Sequence, residues 1–172
     1  MKESTYQVED VMKEAALSRR MRLFAMLDVF GYGSLWFVGE NIWKAKLPAS
    51  YVQREDRLGH PGICLQNASA DGGVHAVAPM LYGSTLHMDR EKTLRLVRLG
   101  VLYVVTNFTG KDAERKTKFG DFRPVMIEKN LLGRDRKDDE KRKNMIWRND
   151  RELTAREMDE LKRFTRRFIS LV

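Results

Sequence analysis

The chain of 172 residues is 42% hydrophobic, enough for one sizeable core and too short for two full domains, so a single domain with terminal helical additions is expected. Cys64 is the only cysteine, which excludes an intrachain disulfide and a cysteine-based zinc box and fits a reduced, cytoplasmic setting. A formal net charge of +8 favours an anionic partner through the summed field of Lys and Arg.

In chain order, residues 7–29 read as a helix, with Val8, Val11, Met12, Ala15 and Ala16 at helical spacing and Gly31 and Gly33 as the stop. Residues 1–32 form an N-terminal extension suited to packing on the core or on a partner. The apolar region 23–38 is interrupted by Asp28 and falls short of the roughly 20 residues of a spanning helix. Glu3, Glu9, Asp10 and Glu14 ahead of it are unlike a signal peptide, so neither a membrane nor a secreted location is expected.

From residue 35 the period changes. Segments 35–38, 41–47, 62–66, 74–79, 99–107 and 122–127 look like short strands rich in β-branched and aromatic residues. Polar stretches at 48–58, 110–120 and 133–144 separate them, and the last is a solvated loop or an exposed helix end. Thr154 and Glu157 form a capping box, after which Met158, Leu161, Phe164 and Phe168 mark one face of a helix over about 154–170. From residue 111 onward there are 19 basic and 13 acidic side chains, so most of the net charge lies in the last third. A polyanion should feel that portion first.

The most informative stretch pairs Gly59-His-Pro-Gly-Ile-Cys-Leu-Gln66 with Val74-His-Ala-Val-Ala-Pro79 across an Asp71-Gly-Gly73 turn, running on into Met80-Leu-Tyr-Gly-Ser-Thr85. A hairpin here would bring the His60 imidazole near the hydroxyls of Ser84 and Thr85.

These segments, in order, carry a resemblance. Gly39-Glu-Asn-Ile-Trp-Lys-Ala-Lys-Leu-Pro48 looks like the opening strand of MazF/PemK-type toxins, and Gly59 to Gln66 resembles their second strand, which begins Arg-Pro. Val77-Ala-Pro79 followed by Gly83-Ser-Thr85 is similar to the third strand and its hydroxyl pair, and the capped helix from Thr154 to the C-terminal helix. The resemblance implies a small SH3-like β-barrel, mainly β with flanking helices, usually a homodimer. It implies cleavage of single-stranded RNA without metal or cofactor, and neutralisation by an antitoxin protein.

By position, His60 takes the place of the family's arginine, and Ser84 or Thr85 that of its phosphate-holding hydroxyl. Imidazole is a competent general acid or base for attack of a 2′-hydroxyl on phosphorus, but a poorer phosphate clamp than guanidinium. Arg54 or Arg57 would supply the missing charge, and Tyr82 would contact RNA. A competing register, Phe122-Arg-Pro-Val-Met-Ile127, makes Arg123 a further phosphate contact. His60, His75 and His87 lack ligand spacing and an implied acidic partner, so no metal site is expected. Tyr82-Gly-Ser-Thr-Leu86 is not a nucleophile elbow. Trp36, Trp43, Tyr82 and Trp147 could stack on bases, although the core is the ordinary place for them. The alternative function is a non-catalytic module that binds nucleic acid or protein on the same barrel.

Overall fold

The computed structural model describes residues 29–169 apart from 55, 68–70 and 136. The helix expected over 7–29 lies outside the described residues.

The fold is mixed α/β around a seven-stranded antiparallel sheet. Its strands are β1 Leu35–Gly39, β2 Gly59–Cys64, β3 Val77–Thr85, β4 Tyr103–Thr106, β5 Lys116–Phe119, β6 Val125–Glu128 and β7 Ile146–Arg148. The helices are α1 Glu40–Lys46, α2 Arg90–Arg98, α3 Asp139–Arg142 and α4 Ala155–Ile169. Hydrogen bonding runs β4-β5-β3-β2-β1-β7, with β6 pairing β3 off that path. The path is open and does not close into the expected barrel. The reason lies in β3, whose residues 77–80 pair β6, 80–82 pair β2 and 83–85 pair β5, so one long strand serves three neighbours in succession.

Both faces of the sheet are covered, which accounts for the unbroken apolar run of β1. Trp36 and Val38 enter a cluster with Phe30, Ile42, Trp43, Met80 and Ile127. Leu35 enters the opposite one with Ile63, Leu81, Phe119 and, from α4, Leu161 and Phe164. The α4 entrance matches its sequence signature: Thr154 Oγ1 accepts from the Glu157 amide at 3.2 Å and Glu157 Oε1 accepts from the Thr154 amide at 3.1 Å.

Several local expectations are corrected. Segment 41–47 is helical, since Glu40, Ile42 and Trp43 are its buried side chains while Lys44 and Lys46 complement the C-terminal dipole. The polar stretch 110–120 contains β5, whose Thr117 and Phe119 are buried and whose Lys116 is exposed. Segment 99–107 is a strand only over Tyr103–Thr106, and α2 precedes it. Residues 74 and 75 belong to a 3₁₀ turn, Gly73–His75, with the strand itself beginning at Val77. The strand expected at 122–127 is β6, displaced towards the C-terminus by three residues at its start, and α3 occupies part of the charged stretch 133–144. No helix among the described residues is long and apolar enough to cross a membrane.

Candidate functional site

The antiparallel register of β2 and β3 sets Gly62 opposite Tyr82 and ends there. Continued by two residues it would set His60 opposite Ser84, but from Gly83 onward β3 pairs instead with β5. The two strands therefore part at this end of the sheet. A cleft of about 600 Å³ fills the opening, and His60, Tyr82, Ser84 and Thr85 all line it.

His60 stands over a buried carboxylate. Its Nε2 lies 3.0 Å from Glu40 Oε2, with 12% of the His60 side chain and 1% of the Glu40 side chain exposed. The two atoms meet off the ideal hydrogen-bond axis and neither has another hydrogen-bond partner among the described residues, so charge and proximity define the contact. The other carboxylate oxygen, Oε1, accepts from the Tyr51 hydroxyl and from the Arg54 amide at 3.2 Å. Burial alone would raise the Glu40 carboxyl, but the His60 and Tyr51 contacts, the charge of His60 and the Arg54 amide hold it below its ordinary value.

The surrounding packing fixes the ring. Trp43 Nε1 donates to the His60 carbonyl at 3.3 Å, and the Tyr82 ring lies 5.1 Å from the imidazole. Tyr82 in turn meets Tyr51 and Phe122 edge-on. Burial pushes the Tyr82 hydroxyl up to about 12, so it is neutral and a donor at working pH. Burial and the neighbouring Glu40 also raise Tyr51.

The mouth of the cleft is electrostatically one-sided. Arg54, Arg57, Lys92, Arg115 and Lys118 line it, and among the described residues no Asp or Glu does. Arg115 Nη2 donates to Thr85 Oγ1 at 2.9 Å, which turns that hydroxyl into part of a cationic patch. Arg54 meets the exposed Asp56 at 3.4 Å, and Lys118 meets Asp121 at 3.1 Å. Such walls concentrate anions.

Six sequence-nominated residues thus share one cleft: His60, Ser84, Thr85, Arg54, Arg57 and Tyr82. Arg123 does not. It is exposed in the loop before β6, beside Phe122. Sequence reasoning missed Glu40 as the acidic partner of His60, although the acid after Gly39 was visible. It also missed Lys92, Arg115 and Lys118, which come from α2 and from the polar stretch around β5. Among Trp36, Trp43 and Trp147, all three are buried and none lines the cleft. No group of three or more His, Cys, Asp or Glu side chains suited to a metal ion occurs among the described residues. Cys64 is free and buried, and burial pushes its thiol up to about 11, the state of an inert core group.

Comparison with protein-family models, with curated proteins and with solved structures finds no match for this chain, and nothing in it identifies the toxin family that the strands resemble.

Proposed function

We propose that the protein is an endoribonuclease that cleaves single-stranded RNA by transesterification. The observation that carries this reading is the buried Glu40 carboxylate against His60 Nε2 at the edge of a cleft whose described lining holds five cations and no acid. A carboxylate on one imidazole nitrogen fixes the tautomer and stabilises the imidazolium, which leaves the other nitrogen to act as the base.

In this reading His60 Nδ1 takes the proton of a ribose 2′-hydroxyl, and the 2′-oxygen forms a bond to the adjacent phosphorus. The bond from phosphorus to the 5′-oxygen breaks, leaving a 2′,3′-cyclic phosphate. The departing oxygen takes a proton, for which His87, the other imidazole lining the cleft, is the donor. Arg115, Lys118, Arg57 and the Ser84 hydroxyl offset charge on the equatorial phosphate oxygens. The chemistry runs on the chain's own groups, without a metal or cofactor. Toxin-type action in cells, a homodimer and an antitoxin partner rest on the strand resemblance and belong to the same proposal. Growth arrest on induced expression, relieved by His60→Ala, is their expected signature.

The test is incubation of purified protein with single-stranded RNA in excess chelator. Cyclic-phosphate ends that disappear in His60→Ala are expected. RNA binding with no cleavage products would replace this reading with the binding-module alternative, which the small exposure of His60 favours.

A further inference from the structure

β5 presents cations to two spaces. Lys116 and Lys118 alternate with the buried Thr117 and Phe119, so they share one face of the strand and stand about 7 Å apart along it. Lys118 lines the cleft of His60, whereas Lys116 lines a second groove of about 580 Å³ between β5 and the first turns of α2. Thr85, Met88 and Arg115 line both, so cleft and groove are continuous. The bond from Arg115 Nη2 to Thr85 Oγ1, at 2.9 Å, forms the saddle between them, and a guanidinium with five N–H donors has others to offer on either side.

The charge of the groove suits a ligand that repeats its own charge. Arg90, Arg115 and Lys116 line it against one acid, Glu114, and Arg90 and Lys116 are exposed and ion-paired to no described residue. Asp89, beside Arg90 in sequence, is engaged as the cap of α2, where it accepts from the Lys92 amide at 2.8 Å. Leu86, Met88 and Leu94 supply apolar surface on which bases can lie. A single small anion would need only the cleft, whereas cations set along two joined grooves match the consecutive phosphates of one strand.

We propose that this groove holds the RNA on the 3′ side of the cleaved bond. The inference rests on the reaction proposed above, and the direction follows from the two histidines. His60 serves the 2′-hydroxyl, and its strand, β2, contributes to the cleft alone. His87 serves the departing 5′-oxygen, and its sequence neighbours Leu86 and Met88 both line the groove. The strand therefore runs from His60 across Arg115, and the phosphates that follow the cleaved one meet Arg90 and Lys116.

The test uses the full chain and mixed-sequence deoxyoligonucleotides carrying one ribonucleotide, so that only the bond after it can be cleaved. The substrates are a dinucleotide, the same extended by two nucleotides on its 3′ side, and the same extended by two on its 5′ side. The 3′ extension should raise kcat/KM at least tenfold. Arg90→Ala combined with Lys116→Ala, both at exposed positions, should abolish that gain and leave the dinucleotide and the 5′ extension unaffected. A 3′ gain that survives the double variant, a loss shared equally by all three substrates, or a loss confined to the 5′ extension would overturn the proposal. Cleavage of none of them by the unmodified protein would instead overturn the nuclease reading, and the groove is then decided by binding. The salt slope for a fluorescent 12-nucleotide RNA should fall by about 1.4 in the double variant, and an unchanged slope would remove the groove from the RNA path.

Discussion

His60 Nε2 and Glu40 Oε2 stand 3.0 Å apart, the imidazole at the edge of a basic cleft and the carboxylate sealed beneath it. Glu40 does not line the cleft, so on the proposed mechanism it acts only through His60. Glu40→Gln keeps the shape but offers an amide where the imidazole needs an anion, and should lower kcat for RNA by about 100-fold or more. KM should change little. A variant whose KM rises as kcat falls would show that Glu40 serves substrate binding or the fold, not the imidazole. Glu40→Ala also strands the Tyr51 hydroxyl and the Arg54 amide, and should cost about 3 kcal/mol of stability.

Acid should destabilise the fold by an identifiable route. The Glu40 carboxyl is held low as described, and at Asp71 burial is outweighed by Lys129 at 2.7 Å together with the amides of Phe30 and Gly73. Each has a folded pKa below its unfolded one. Between the two values the unfolded chain binds more protons, so the stabilisation is complete above the ordinary carboxylate range and is lost as pH falls through the lowered folded values. The urea midpoint should hold steady from about pH 7 to 5 and drop below about pH 4. Asp71→Asn should lose stability at pH 7 and flatten that drop; an unchanged profile would mean that Asp71 is not one of the groups responsible.

Salt should separate cleft from surface. Single-stranded RNA held by Z cations loses affinity with a slope of about −0.7Z in log salt. Arg57→Ala removes a cation that lines the cleft and should reduce the slope by about 0.7. Arg123→Ala removes an exposed cation outside it and should leave the slope unaltered. Equal effects of the two, measured by fluorescence anisotropy over about 50 to 200 mM salt, would place the RNA on a diffuse positive surface rather than in the cleft.

What the sequence carried depended on whether a pattern is closed locally. Thr154 and Glu157 satisfy each other three residues apart, so α4 announces itself. Segment 41–47 does not, because Ile42 and Trp43 have strand-forming side chains while the helix is selected by distant partners: Glu40 must reach His60 and Tyr51. Lys116-Thr-Lys-Phe119 does alternate, but its charges conceal a four-residue strand that the β3 and β4 ladders stabilise. The site followed the same division. His60, Ser84 and Thr85 were legible because one hairpin relates them, whereas Arg115, just before β5, Lys118 within it and Lys92 in α2 arrive through topology alone.

Gly83 is where β3 leaves β2 for β5, and it admits no side chain. A Cβ there would stand 2.7 Å from Phe119 Cζ and closer still to Cε1, against a ring with no solvent exposure in which to retreat. Gly83→Ala should therefore cost about 1–3 kcal/mol through overpacking. Gly72, with a φ of −83° and no atom within 4 Å of where its Cβ would stand, is the matched control: Gly72→Ala should be neutral or slightly stabilising. Trimming the opposing ring should relieve the clash, so Gly83→Ala combined with Phe119→Leu should be more stable than the sum of the two single losses. Urea midpoints of the four variants decide the matter. Strict additivity would mean that β3 moves as a whole to admit the methyl group, in which case RNA affinity, set by the gap between β2 and β3, should fall in Gly83→Ala even where stability does not.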